Sequence, residues 1–142
     1  MTPPAPDSAA RVMIDKLAWI HVHNGRLLGV RSRGKDAFFL PGGKREPGES
    51  DHEALLREVH EELGVTLDEE SLRLAHVFEA PAHGQPEGVF VRMTCFSGAY
   101  AGELRPAAEI EELAWLTHDD RDRMSLVTRI IVDWLREQQW MP

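Results

Sequence analysis

Residues 42–65 constrain the fold of this chain more than any other segment, because a glycine-rich loop there leads directly into a strongly marked helix. Ser50 is a good N-cap residue, and Glu53, three residues later, completes a capping box. Gly64 follows the last apolar residue of the pattern and is a typical helix stop. The sequence therefore predicts a helix over residues 50–63.

The predicted helix has an apolar face and an acidic face. At about 100° per residue, the apolar side is formed by Leu55, Leu56, Val59 and Leu63, and the neighbouring acidic side by Glu58, Glu61 and Glu62. Carboxylates four residues apart, as in Glu58 and Glu62, repel each other unless a cation lies between them. Carboxylate oxygens are hard ligands that suit Mg²⁺ or Mn²⁺. Gly42 and Gly43 in the preceding loop would let the backbone approach a metal ion or a phosphate closely.

The rest of the chain alternates short strands with one further helix. Periodicity and turn residues predict strands at residues 16–22, 26–31, 72–79, 89–97 and 113–116, a hairpin turn at Asn24-Gly25, a loop at 80–88 and an amphipathic helix at 124–139. This order favours an α/β or α+β sandwich in which a mixed sheet has a helix on each side.

Composition restricts the kinds of partner that the chain can bind and the cellular compartment that we expect for it. The first ten residues include three prolines without periodicity, so we expect a flexible tail over residues 1–12 and one domain over residues 13–142. Neither a signal peptide nor an apolar stretch of roughly 20 residues is present, which predicts no membrane span. Cys95 is the single cysteine, which indicates a reducing cytoplasm. A net charge of −8 argues against binding of duplex nucleic acid.

The joint spacing of residues 43–65 is similar to a known motif. Gly43 is followed after five residues by Glu49, and after seven more by the run REVHEELGV, which starts at Arg57. This resembles the complete Nudix box: glycine, five residues, glutamate, seven residues, then Arg-Glu-apolar-any-Glu-Glu-any-Gly-apolar. The motif covers 23 residues directly. The order of strands and helices from about residue 15 to the end is also similar to that family.

The resemblance implies a Nudix-type α/β/α sandwich with a mixed β-sheet between helices. It also implies Mg²⁺-dependent hydrolysis, with Mn²⁺ as a possible substitute, of a nucleoside diphosphate linked to another group. The metal ligands that it implies are the carbonyl of Gly42 and the carboxylates of Glu58, Glu61, Glu62 and Glu109. Glu58 has a second possible role as the base, and Arg57 would hold the carboxylates in place through an ion pair with Glu49.

Glu109 is the candidate for the further acid that this family often carries outside the box, on the loop before a strand that bears tryptophan. It lies six residues before Trp115, and Glu111 and Glu112 compete with it. The resulting candidate catalytic residues are Glu58, Glu61, Arg57 and Glu109.

Three functions stay open. The first is a small (d)NTP pyrophosphohydrolase that releases a nucleoside monophosphate and pyrophosphate. The second is a pyrophosphatase for ADP-ribose or another nucleotide sugar, and the third is a non-catalytic nucleotide-binding module. All three imply a small-molecule nucleotide as the ligand, and either a monomer or a homodimer.

Several other side chains have both a structural and a functional interpretation. Trp19, Phe38, Phe39 and Phe90 could stack on a base, although core packing is the better interpretation for each. Arg31, Arg33 and Lys35 could contact phosphate or simply end a solvated strand. His52 and His60 are eight residues apart, which excludes the His-Glu-x-x-His spacing of a zinc protease.

Overall fold

The computed structural model describes residues 12–142. Within them the strands are β1 (Val12–Trp19), β2 (Val22–His23), β3 (Arg26–Ser32), β4 (Gly42–Lys44), β5 (Thr66–Leu67), β6 (Arg73–Pro81), β7 (Val89–Ser97), β8 (Tyr100–Ala101) and β9 (Ile110–Leu116). The α-helices are α1 (Asp51–Leu63) and α2 (Leu126–Glu137), and single 3₁₀ turns occupy Glu69–Ser71 and His118–Arg123. None of these helices is long and apolar enough to cross a membrane.

The strands form a mixed sheet and two smaller antiparallel sheets. The main sheet has the order β4-β1-β7-β6, in which β1 and β7 are parallel and the two outer pairs are antiparallel. The second sheet has the order β2-β3-β9, and β5 pairs with β8. Helix α1 packs against β1, β4 and β5, while α2 packs against β6. The predicted α/β class and mixed sheet are confirmed.

The end of β1 is buried on both faces and separates two hydrophobic cores. Because side chains alternate along a strand, Leu17 and Trp19 enter the core beneath α1, whereas Ala18 and Ile20 enter the core beneath α2. All four side chains are at most 2% exposed. By the same alternation, Lys16 lies on the Ala18 face of β1.

The predicted helix of the acidic segment is confirmed with both of its caps. The Ser50 hydroxyl accepts a hydrogen bond from the Glu53 N–H at 3.1 Å, and the Glu53 carboxylate accepts one from the Ser50 N–H at 2.9 Å. At the other end Gly64 has a φ of +73° and closes the helix on the His60 carbonyl. Each end of α1 thus satisfies its backbone groups locally, which fixes the position of the acidic face.

The structure differs from the sequence predictions at four places. Strand β1 begins at Val12, inside the predicted tail, because the Val12 N–H donates to the Gly88 carbonyl at 2.8 Å and Val12 pairs with Val89. Residues 1–11 of that tail lie outside the described residues. Strand β4 was not predicted, since Gly-Gly-Lys has low strand propensity and forms a strand only by pairing with β1. The short β5–β8 pair was not predicted either. In α2, Ile130 is 41% exposed although it fits the apolar spacing.

Candidate active site

Two consecutive glycines bring β4 into contact with the acidic face of α1. Gly42 has a φ of +146°, and a Cβ there would lie 2.0 Å from the Leu17 carbonyl oxygen. Its N–H donates to the Glu62 carboxylate at 2.8 Å. A Cβ on Gly43 would lie 2.5 Å from the carboxyl carbon of Glu58. Both carboxylates therefore rest against backbone that only glycine leaves open.

Arg57 holds the carboxylates of this region in place. Its guanidinium donates two hydrogen bonds to Glu49, at 2.8 and 2.9 Å, and a third to Glu58 at 2.9 Å. A fourth goes to the carbonyl of Lys44 at 3.1 Å, so one side chain joins the helix to both ends of the loop. The predicted ion pair between Arg57 and Glu49 is confirmed. The Arg57 guanidinium lowers the pKa of Glu49 to about 2, with help from the Glu46 N–H.

The carboxylates that face inward are held in an unfavourable environment for their charge. Glu62 is 6% exposed. Burial, together with the nearby carboxylates of Glu58 and Glu109, raises its pKa to about 8, although the hydrogen bond from Gly42 opposes the shift. Burial likewise raises the pKa of Glu58, although the hydrogen bond from Arg57 opposes the shift. A neighbouring positive charge would stabilise such groups as anions.

Of the three competing acids outside the box, only Glu109 lines the cavity beside the helix carboxylates. It lies on its wall with Glu58 and Glu62. Glu111 and Glu112 instead pair with Arg31, at 3.4 and 2.8 Å, outside the cavity. The geometry therefore favours Glu109 as the acid that meets the helix carboxylates.

Glu61 is placed differently from the other two box glutamates. Its side chain is 52% exposed and lies 3.6 Å from the Arg57 guanidinium. It is not part of the cavity wall. The sequence predicts that the three glutamates share one side of α1, and the structure brings only Glu58 and Glu62 of that set into the cavity.

These carboxylates border a cavity of about 400 Å³ between the loop, β1 and the neighbouring strands. Its wall has an acidic part, an apolar part and a basic part. The apolar part includes Ile14, Phe39, Leu40, Val91, Met93 and Val127; the basic part consists of Lys16, Lys35 and Lys44. His83 and Gln85 reach the cavity from residues 82–88, the loop that follows β6.

The residues present fit a hard divalent cation by their chemistry. They offer carboxylate oxygens and a backbone carbonyl, the donor types that Mg²⁺ and Mn²⁺ prefer. The raised pKa of the buried Glu62 carboxylate shows that a positive charge would be favourable beside it. In the part of the chain that the structure describes, no three His, Cys, Asp or Glu side chains are close enough together to hold one metal ion, so Glu58, Glu62 and Glu109 share the cavity without forming a complete ligand set.

Comparison with known proteins agrees with this arrangement. The NUDIX domain family model matches residues 16–135, which is most of the chain. The chain belongs to the Nudix family. The match extends from Lys16 in β1 into the last turns of α2, so it includes every side chain of the site named above except Ile14.

Individual Nudix relatives are distant in sequence. A curated ADP-ribose pyrophosphatase from Methanocaldococcus jannaschii is 29% identical over 72% of this chain and 59% of its own length. A MutT-like protein from Streptomyces ambofaciens is 30% identical over 75% of this chain and 66% of its own length. This chain thus spans about six-tenths to two-thirds of those relatives. The crystal structure of a MutT Nudix hydrolase from Burkholderia pseudomallei has a TM-score of 0.71 and 26% identity, and the match covers 87% of this chain and 98% of that one.

Sequence reasoning missed two side chains of the site, Lys16 and Lys44. The signal for Lys16 was available, since it is a charged residue on a face of β1 that is otherwise formed by Val12, Ile14 and Ala18. Phe39 and Lys35, which had two interpretations, line the cavity. Trp19 is fully buried, as the core interpretation predicts.

Cys95, the residue behind the expectation of a reducing compartment, is also in the core. Its side chain is fully buried, and burial raises the pKa of its thiol well above the usual range. A thiol in that environment is unreactive. The cytoplasmic location stays a prediction, as does the choice between monomer and homodimer.

Proposed function

We propose that this protein is a divalent-cation-dependent hydrolase that cuts a diphosphate linkage in a nucleoside diphosphate derivative, with a nucleoside triphosphate as the leading substrate. The observation that carries this proposal is the meeting of Glu58, Glu62 and Glu109 in one cavity, against the backbone of Gly42 and Gly43. Family membership supports the same chemistry, since the complete box is present.

The ligands proposed for Mg²⁺, or for Mn²⁺ in its place, are Glu58, Glu61, Glu62, Glu109 and the carbonyl of Gly42. When bound, such an ion would neutralise phosphate oxygens and lower the pKa of an attacking water. Arg57 would keep the Glu58 carboxylate in one orientation through its hydrogen bond at 2.9 Å. Glu109 is exposed and belongs to no ion pair in residues 12–142, so it is free to accept a proton from water.

The apolar part of the cavity would hold the nucleoside. Phe39 is partly exposed at the cavity wall, and its ring could lie against a base. Apolar surface with a few polar groups is typical of small-molecule sites of this size. His83 and Gln85, from the loop after β6, would supply the polar contacts to that end of the ligand.

A second candidate is hydrolysis of ADP-ribose or another nucleotide sugar. It is supported by the relative from Methanocaldococcus jannaschii, whereas the MutT-like relative from Streptomyces ambofaciens supports the first. A non-catalytic nucleotide-binding module is the candidate of a different class. The retention of every box carboxylate, at the cost of burying Glu62, argues against it.

The test is release of phosphate or pyrophosphate, with Mg²⁺ and then with Mn²⁺, from a panel of dNTPs, oxidised dGTP, ADP-ribose and dinucleoside polyphosphates. We expect turnover of one class, lost with EDTA and in Glu62→Gln. Glu111→Gln is the matched control, because it removes a carboxylate that is 50% exposed outside the cavity. No turnover of any compound by a folded protein that binds Mg²⁺ would favour the binding module.

A further inference from the structure

Every lysine of this protein lies at the same cavity. The sequence contains three lysines and thirteen arginines. Lys16, Lys35 and Lys44 all line the cavity, although they come from β1, the loop after β3, and β4. None of the arginines in residues 12–142 is part of that wall. The lysines thus line the cavity, whereas these arginines, including Arg31 and Arg57 that bind the carbonyls of Lys35 and Lys44, lie outside its wall.

The two kinds of basic residue also differ in their partners. Six of the twelve arginines in residues 12–142 pair with carboxylates, as in Arg31 with Glu112 at 2.8 Å and Arg92 with Glu79 at 2.9 Å. Within residues 12–142 no lysine has a carboxylate within ion-pairing distance. A planar guanidinium matches a carboxylate with two parallel hydrogen bonds, whereas an ammonium acts as a compact point charge with three rotatable donors. The lysines therefore have donors available for a ligand.

The lysines are held together at an energetic cost. Lys16 and Lys44 are direct partners across the β1–β4 pair, where like charges are destabilising. Burial lowers the pKa of Lys16, and the ammonium groups of Lys44 and Lys35 lower it further, while the nearby carboxylates of Glu62 and Glu58 oppose the shift. The ring of Phe39, with its centroid 5.8 Å from the Lys16 ammonium, offsets part of this cost. An anion bound in the cavity that all three lysines line would reduce this repulsion.

We propose that Lys16, Lys35 and Lys44 form an anion subsite that binds the terminal phosphate of the substrate directly, without a metal ion between protein and phosphate. This subsite rests on the proposed function and specifies its substrate class. A terminal phosphate carries about two negative charges at pH 7, because its second pKa is near 6. The phosphates of ADP-ribose are esterified on both sides and carry one charge each. The subsite therefore selects nucleoside triphosphates over nucleotide sugars.

The experiment is isothermal titration calorimetry in EDTA at low ionic strength, where charge interactions are least screened. The probes are inorganic tripolyphosphate, which has terminal phosphates, and ADP-ribose, which has none. The variants are Lys16→Met and Lys35→Met. Arg26→Met is the matched control, because it removes one positive charge from an exposed position outside the cavity.

We expect wild type to bind tripolyphosphate, and each lysine variant to bind it about tenfold more weakly or worse, the loss typical of one charge-assisted hydrogen bond. Arg26→Met should stay within about twofold of wild type. Affinity for ADP-ribose should change far less in all variants. Lys35 is exposed, so its variant should fold even if Lys16→Met does not.

Absence of tripolyphosphate binding by wild type would overturn the subsite, as would lysine variants that bind it like wild type or lose ADP-ribose equally. These outcomes are independent of hydrolysis. Turnover with Mg²⁺ but no metal-free binding would leave the proposed function intact and refute the subsite. Metal-free binding of tripolyphosphate without turnover of any substrate would support the subsite and refute the proposed hydrolysis.

Discussion

Substitution of Gly43 by alanine should lower activity with little loss of stability, whereas substitution of the adjacent Gly42 should lower stability. At Gly43 the new Cβ would lie 2.5 Å from the Glu58 carboxyl carbon, whereas an ordinary contact begins near 3.4 Å. The carboxylate must therefore move by about 1 Å, and this is a flexible side-chain end. A shift of that size in a reacting group can lower the rate by about 10²-fold. The free energy of unfolding should fall by no more than about 1 kcal/mol.

At Gly42 the same substitution meets backbone instead. The Cβ would lie 2.0 Å from the Leu17 carbonyl oxygen, and the φ of +146° is strained for alanine. Strain at such a position costs about 1–3 kcal/mol, and the pairing of β4 with β1 must also shift. We expect Gly42→Ala to lose about 3 kcal/mol or more, which corresponds to roughly 10 °C in Tm.

The two variants are compared by thermal denaturation and by kcat/KM on the substrate found in the panel. Gly43→Ala should keep its Tm within about 3 °C of wild type while losing activity. The reasoning would be refuted if Gly43→Ala kept full activity, or if it were destabilised as much as Gly42→Ala. Full activity would mean that Glu58 does not depend on the open backbone at Gly43, and equal destabilisation would mean that the Glu58 side chain does not make room for the new methyl group.

Arg57→Lys should lower kcat/KM by about tenfold or more, because an ammonium cannot bind Glu49 with two hydrogen bonds and still reach Glu58; a rate within twofold of wild type would contradict this. Glu49 contributes stability as an anion, since its folded pKa is depressed to about 2. The stability of wild type relative to Glu49→Gln should therefore be full above pH 4.5 and disappear as the pH falls towards 2, measured by urea denaturation. Glu109→Gln should lower kcat by about 10²-fold or more while Glu112→Gln leaves it unchanged, and equal effects would remove Glu109 from the site.

The sequence predicts the acidic helix well because its signals are local. The cap at Ser50, the stop at Gly64 and the spacing of the apolar face all act within a few residues of one another. The ion pair between Arg57 and Glu49 was implied by the resemblance to the Nudix box and not by these signals, and it also forms within this one segment. These features need no knowledge of how distant segments pack.

The basic part of the cavity could not be predicted in the same way, because it depends on pairing between distant strands. Lys16 faces Lys44 only because β4, a strand without strand-forming residues, pairs with β1. Glu61 shows that local spacing can also predict a side chain into a site that it does not enter. Helical spacing places it near Glu58, but the guanidinium of Arg57 lies 3.6 Å from it, and its side chain remains half exposed outside the cavity.

An acidic protein that binds a polyanion must keep its own carboxylates from repelling the ligand. In this fold Arg57 lies within ion-pairing distance of four carboxylates near the site, those of Glu46, Glu49, Glu58 and Glu61. Its pair with Glu49, joined by two hydrogen bonds, is the clearest example. The carboxylates left without such a partner, Glu62 above all, are those that a divalent cation would neutralise. Within residues 12–142 no lysine has a carboxylate within ion-pairing distance, so the ammonium groups that line the cavity can bind the ligand. A net charge of −8 is therefore compatible with a phosphorylated substrate, because the charges that oppose binding are compensated locally and the lysines that favour it are gathered at one cavity.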